Sequence, residues 1–437
     1  TPLAVGGENW QINGMAGVFT VALGGLDLYK AINIDKSAEA AASPLLLAQA
    51  LLLDSFARAN LNQHQRALRS AERARDLFAA AGDLSGQGEA MIAASSAHIA
   101  LGDYARAEQV QEQTLQVLIG LGNSVLTAAH LGNMADLLCL RGKLELAAAR
   151  AQAGLLLSQE VGNREATLQS LVMLAQVALL RGNLARSAQL LAQAQQELPS
   201  PDDPRMSAWV SWHLAELRRA QGRADEAARL HRLALAKREE YHLVGFSAES
   251  QVALAALALA APPAASPAAS PAALIDSAEY LARQAQARFS EAHNQEGAAW
   301  AQALLSQALA QRGQGAEAQA SFLPALARLG TSQNLLVRLG GIAALARAAA
   351  LLPPPGAALG RLCAQLRELI TLSESSGMLA SQVELSVLLH QLEQKVGAQR
   401  VAPPELCALA RRAQESGLIR VAELALPVCA DAAPHAR

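Results

Sequence analysis

Along this chain, stretches of about 13 to 16 residues in which Leu, Ala, Ile, Val and Met recur three and four positions apart alternate with short polar breaks, the pattern of helices apolar on one side. The breaks keep a fixed beat. Gly102, Gly142, Gly182 and Gly222 recur at a constant step of 40, and five positions after each comes a small residue: Ala107, Ala147, Ser187 and Ala227. Asn62 followed by Ala67 extends the series backwards. A second series, Gly82, Gly122 and Gly162, runs in parallel, and Gly377 and Gly417 repeat the interval near the other end. Two turns per period with amphipathic stretches between them predict a helical hairpin as the repeating unit. Hairpins stacked in tandem share one continuous core that no single hairpin could bury.

The predicted hairpins are 45–60 with 65–79, 88–100 with 104–118, 125–140 with 144–158, 165–180 with 184–198, and 206–220 with 224–239. Pro201 and Pro204 stand in for the glycine of one turn, where "SPDDP" caps the next helix. A helix at 247–259 is followed by "APPAASPAASPAA", which predicts a mobile polyproline-like loop. The step from Gly222 to Gly313 is two periods plus 11, so this segment reads as an insertion within one repeat. Further helices are predicted at 274–292, 297–311, 316–329, 362–375, 379–396 and 404–415, with a terminal one at 417–426. The domain reading is a degenerate opening hairpin or cap at 1–37, turning at Gly24 and Gly25, then a solenoid of about nine hairpins over 38–430 with the Pro/Ala/Ser loop at 260–273, then a disordered tail at 431–437. Occupation of the solenoid's own groove by the loop, Pro262 to Pro271, is a further expectation. The chain opens at Thr1 within half a repeat, and it is expected to be a piece of something longer, which intact mass of the natural protein decides.

Composition sharpens the picture. Hydrophobic residues make up 52% of the 437 and aromatics only 3%, so the core must be Ala and Leu and the fold all-α. A formal charge of −2 supplies no overall attraction to nucleic acid or anionic lipid, and no apolar run is long enough for membrane insertion. Cys139, Cys363, Cys407 and Cys429 lie far apart without metal-ligand spacing. They read as unpaired buried thiols, which favours the cytoplasm with the periplasm as the alternative, and neither a metal nor a cofactor is expected.

The segment "LGDYARAEQVQEQTL" from Leu101 resembles the turn and second helix of a tetratricopeptide repeat, as do "RGNLARSAQLLAQA" and "QGRADEAARLHRLAL"; "NMADLLCLRGKLELA" and "HLAELRRAQGRADEA" extend the likeness into first helices. The likeness covers about residues 40 to 430. The 40-residue period with "LGN" or "GN" between hairpins is similar to the long-repeat subclass of Pins/LGN-type adaptors, and similar arrays end bacterial multidomain regulators. The resemblance implies a right-handed superhelix whose inner wall is formed by first helices and which grips a peptide or protein segment. Carried onto this chain from the turn glycines, the family's inner-wall positions are Asn133 and Asp136 with Gly132 and Cys139, Met173 and Gln176 with Val172 and Leu179, and His213 and Glu216 with Trp212 and Arg219.

The richest stretch of that wall is "AWVSWHLAELRR", where Trp209, His213 and Glu216 share a helical face with Trp212 and Arg219 alongside. Trp and Arg dominate interface energetics, but two tryptophans in an aromatic-poor chain equally fill gaps between hairpins. Asn133 stands where peptide-clamping repeats place an asparagine, yet Ala93 and Met173 at the matching positions make a carboxylate clamp a poor fit. His98, His130 and His213 fall at different phases of the repeat and read as structural. No GxSxG, P-loop or HExxH motif occurs, and no catalytic residue is assigned. The function expected is a protein-interaction scaffold. The alternative is the sensory array of a larger bacterial regulator.

Overall fold

In a computed structural model of the chain, residues 43–198, 204–241, 243–260, 270–395 and 403–432 are described. They form 19 α-helices, and no strand occurs among them. In order these are α1 (Pro44–Asn60), α2 (His64–Ala80), α3 (Leu84–Ala100), α4 (Tyr104–Gly120), α5 (Ser124–Leu140), α6 (Leu144–Glu160), α7 (Arg164–Leu180), α8 (Leu184–Gln196), α9 (Pro204–Ala220), α10 (Ala224–Glu240), α11 (Val244–Ala260), α12 (Pro271–Glu291), α13 (Gln295–Gln311), α14 (Gly315–Leu329), α15 (Leu335–Leu351), α16 (Gly356–Ser375), α17 (Leu379–Lys395), α18 (Pro403–Glu415) and α19 (Ile419–Ala432). Pairing them in order gives nine hairpins, after which α19 opens a tenth.

The period has a simple local origin. Most helices, α1 to α7 among them, are 17 residues long, a turn or less beyond the sequence prediction, and three-residue turns separate them. In the turn 101–103, Gly102 takes φ +80° and its N–H donates to the Ile99 carbonyl (3.0 Å), while the Asp103 N–H reaches the His98 carbonyl (2.9 Å). This is a left-handed C-terminal cap, in which glycine carries no β-carbon penalty. The Asp103 carboxylate then accepts from the Arg106 N–H (3.2 Å) and caps the next helix. One short turn therefore ends a helix and starts another, twice in every period. Asn62 and His293 take the glycine's place with φ of 57° and 54°.

Two regions depart from the predicted bounds. The excess of 11 divides between the α11–α12 connection, ten residues instead of three, and α12, which runs to 21 residues where α11 has 17. The "LLPPPG" turn is shorter than expected, because Pro355, with φ −51° and ψ 145°, leads directly into α16 at Gly356, not at Leu362. The terminal helix, expected at 417–426, runs to Ala432 and so takes in the first two residues of the tail expected at 431–437. The expected opening hairpin at 1–37, the loop expected to fill the groove and the rest of the tail lie outside the described residues, apart from the loop's two ends.

Packing follows the small-residue rule. Ala67, Ala107, Ala147, Ser187 and Ala227 are all fully buried where second helices cross first helices. Leu118, Leu137, Leu168 and Leu217 fill the remaining space, each contributing roughly 1.5–3 kcal/mol on burial. First helices of successive hairpins pack backbone against backbone (α1–α3, α5–α7, α7–α9, α11–α13, α13–α15, α15–α17), whereas second helices of successive hairpins reach one another through long side chains, as in Arg150–Glu112 (2.9 Å) and Arg288–Glu239 (2.6 Å). The first helices therefore run at the tighter radius and form the inner wall.

The solenoid also closes on itself. His64 Nε2 donates to the Ala292 carbonyl (3.3 Å), Tyr104 Oη donates to Glu296 (2.9 Å) and accepts from Asn334 (3.3 Å), and the Ala105 N–H donates to Gln333 Oε1 (3.0 Å). Leu335 fills the space a β-carbon on Gly142 would need, and Leu418 lies over Gly182. Each of the early turns thus meets the start of a first helix five or six hairpins later, which is one superhelical coil seated on the next. The core shows the same thing, since Leu138, Cys139 and Leu144 belong to one cluster with Leu335, Leu345 and Met378.

One expectation about the cysteines is corrected. Cys139 and Cys363 are free and buried, but Cys407 and Cys429 form a disulfide with Cα atoms 5.6 Å apart. Adjacent antiparallel helices bring together positions 22 residues apart, so distance along the chain was no guide. The thiol argument for the cytoplasm then rests on two residues, not four.

Candidate functional site

One helical position, thirteenth in the usual first helix, carries a polar residue in most hairpins: Ser96, Asp136, Gln176 and Glu216 at steps of 40, then Gln307 and Arg347, with Phe56 before the row and Ala256 within it as the apolar exceptions. Elsewhere these helices are built mostly from Ala and Leu. All of these polar residues are half-buried or buried. Their elements are held by the turn caps and by the small-residue crossings beneath them, so the row is rigidly placed.

Asn133 and Asp136, on α5, are both half-buried. Asn133 Oδ1 accepts from Gln169 Nε2 of the next first helix (2.7 Å), and Gln169 reaches it by lying over Gly132, where a β-carbon would stand 2.6 Å from its Cδ. Gln176 is 8% exposed, and its Oε1 is buried without a hydrogen-bond donor among the described residues. The sequence-predicted pair Asn133–Asp136 and Gln176 therefore share one wall.

The α9 residues divide. Trp209 and His213 are 7% and 3% exposed, with Trp209 packed among Met206, Val210 and Leu217. Trp212 is half-buried and meets His213 edge-on at 4.9 Å and His231 at 6.2 Å between ring centroids. Glu216 accepts from His231 Nε2 (3.1 Å) and pairs with Arg219 (2.8 Å). Burial pushes the Glu216 carboxyl up, but the Arg219 guanidinium and the His231 hydrogen bond outweigh it and hold the group below the ordinary carboxylate range. Burial holds His213 down at about 3, so its ring is neutral at physiological pH. The polar end of the predicted cluster, Glu216 and Arg219, belongs to the wall, while Trp209 and His213 are packed into the surrounding core.

Residues from distant hairpins complete the site. Arg347 of α15 and Glu384 of α17 form an ion pair, and Glu384 adds to the effect of Glu216 in raising the Arg219 guanidinium. Glu249 of α11 lies 3.6 Å from Arg238. Withdrawal from bulk solvent pushes the Glu249 carboxyl up to about 7; Arg238 opposes the shift, and Asp136 adds to it from across the coil. Sequence reasoning missed Glu249, Arg347 and Glu384. The repeat step carried from Glu216 past the insertion was the signal that could have found Arg347.

His98, His130 and His213 are buried as separate residues, and His130 donates to the Gln111 carbonyl (2.8 Å). No group of three metal-ligating side chains gathers among the described residues. No described helix is long and apolar enough to cross a membrane.

No protein-family model and no curated protein sequence matches the chain. Solved structures do match. A Rap protein complexed with competence and sporulation factor aligns over 86% of this chain and 99% of its own at 13% identity, with a TM-score of 0.56. Yeast Tom70 aligns over 89% and 97% at 12% identity with a TM-score of 0.34, and the APC/C hetero-tetramer Cut9–Hcn1 over 92% and 94% at 12% identity with the same score. The fold is that of a tetratricopeptide-repeat solenoid.

Proposed function

We propose that the chain is a binding scaffold that holds an extended peptide or protein segment along the inner wall, with no chemistry of its own. The row Ser96–Asp136–Gln176–Glu216–Gln307–Arg347 carries this reading. Glu216 and Arg347 are already paired within the chain, but the buried Oε1 of Gln176 meets no donor among the described residues, and an extended backbone offers N–H groups at regular intervals along such a wall. Trp212 and Arg219 supply the residue types that dominate interface energetics. Asn133, Asp136, Gln176, Glu216 and Arg219 are the residues we assign to contact the segment. Trp209 and His213 support them from the core.

A second reading is favoured by the Rap protein, whose coil aligns over nearly its whole length and which was solved complexed with competence and sporulation factor. On that reading the array is the sensory part of a bacterial signalling regulator, and a partner-holding adaptor of the Pins/LGN type is the competing setting for the same groove. Selection of a random-peptide display library on the full chain tests both at once. A recurring enriched sequence is expected, and failure to enrich any sequence over the unpanned library overturns the groove reading.

A further inference from the structure

The disulfide joins α18 to α19 at the end of the pair away from the turn that meets the first coil. Cys407 on α18 and Cys429 on α19 are both half-buried, so a small thiol can approach them, unlike fully buried Cys139. The helix they tie down has a slender anchor: α19 is 14 residues long, contains Pro427, and buries Ala422 and Ala425 while Ile419, Leu424 and Leu426 stay exposed. Yet this helix and its turn make seam contacts. Leu418 lies over Gly182 of the first coil, and the Arg420 guanidinium donates to the Ala260 carbonyl at the end of α11 (3.2 Å). Arg420 also lies within electrostatic reach of Arg219, Glu384 and Arg347 on the wall.

We propose that Cys407–Cys429 is a reversible redox site, a latch that ties α19 to α18 so that its seam contacts through Leu418 and Arg420 stay made, and thereby sets access to the groove. The latch stands on the contacts just given, and its effect on access rests on the groove reading above. The reductant is a dithiol. One of its thiolates attacks one cystine sulfur and forms a mixed disulfide, releasing the other cysteine as a thiolate that takes up a proton. The second dithiol sulfur then displaces the remaining cysteine, so two electrons and two protons end on Cys407 and Cys429 and the dithiol leaves as a cyclic disulfide. In a reducing compartment such an accessible bond is a sensor, not a staple.

Alkylation of the denatured full chain before and after dithiothreitol gives the first readout: two reactive thiols are expected without reduction, Cys139 and Cys363, and four with it. Hydrogen exchange gives the second. Reduction is expected to speed exchange about tenfold over residues 418–432 and around the Gly182 turn, leaving 84–140 unchanged. Cys429→Ser should match the reduced wild type, and if that variant does not fold, reduction of the wild type still decides. Four reactive thiols in unreduced protein, or equal exchange in both states, overturns the latch. If a peptide selected on the oxidised chain binds the reduced chain equally well, control of access is overturned; if no peptide is selected at all, the groove reading fails while the exchange result still judges the latch.

Discussion

Removing one hydroxyl should loosen the closure between coils without disturbing the hairpins that make it. Tyr104 is 6% exposed, and its ring packs with Ala107 of its own helix and Leu137 of the next hairpin. Its hydroxyl alone crosses the seam, donating to Glu296 and accepting from Asn334. Tyr104→Phe keeps the ring and deletes both bonds. A hydrogen bond to a charged acceptor contributes about 1.5–3 kcal/mol net, and the Asn334 amide, on a residue 7% exposed, is left without that acceptor. A local loss of about 2 kcal/mol corresponds to roughly 30-fold more frequent opening of the seam. A melting temperature would blur this, because long repeat arrays do not unfold in two states. Hydrogen exchange read peptide by peptide is the appropriate assay, with 101–107 and 331–337 expected to lose protection and 164–180 to keep it. Tyr241→Phe, at a side chain 49% exposed, is the control. Unchanged exchange at both sides of the seam, or an equal loss in every repeat, refutes the idea that the coils touch through these groups.

Gly142→Ala and Gly222→Ala should differ. Both glycines have positive φ, 73° and 78°, but only Gly142 faces Leu335 across the seam while Gly222 has open space. The backbone cost is about 1–2 kcal/mol for each, and displacing Leu335 adds roughly 1–3 kcal/mol at Gly142 alone, readable as the difference in denaturant midpoints. Glu216, with its carboxyl held below the ordinary 4.5, stabilises the fold above that value and loses this contribution as pH falls through its lower folded value. Glu216→Gln should therefore flatten the acid limb of a stability–pH curve; an unchanged limb counts against the ion pair. Glu249 has the opposite sign. With its carboxyl at about 7, the fold gains from it fully below 4.5 and loses that gain as pH rises from 4.5 to 7, and Glu249→Gln should remove this slope, measured by urea titration at several pH values.

The repeat itself was legible because each unit obeys local rules. Gly102 marks a left-handed cap, Asp103 a helix start and Ala107 a tight crossing, and each requirement lies within five positions of the others. The inner-wall row was legible for the same reason, as Asp136, Gln176 and Glu216 keep the step. What spacing could not give was the superhelical pitch. Tyr104 and Asn334 are 230 residues apart, and their meeting depends on small rotations summed over five or six hairpins. The burial of Trp209 and His213 depends on which neighbours that curvature presses onto α9. The disulfide was more accessible to reasoning than the seam: Cys407 and Cys429 lie equally far before and after Leu418, symmetric about a turn, as facing positions in a hairpin should be.

The central claim is that the inner wall, not the convex face, holds the partner. An enriched peptide titrated by calorimetry into wild-type chain, Asp136→Asn, Gln176→Ala and, on the exposed face of α10, Arg232→Ala tests it most directly. Each wall substitution is expected to weaken binding about tenfold with unchanged circular dichroism, and Arg232→Ala to leave it alone. Full affinity in both wall variants, or an equal loss from Arg232→Ala, would contradict it.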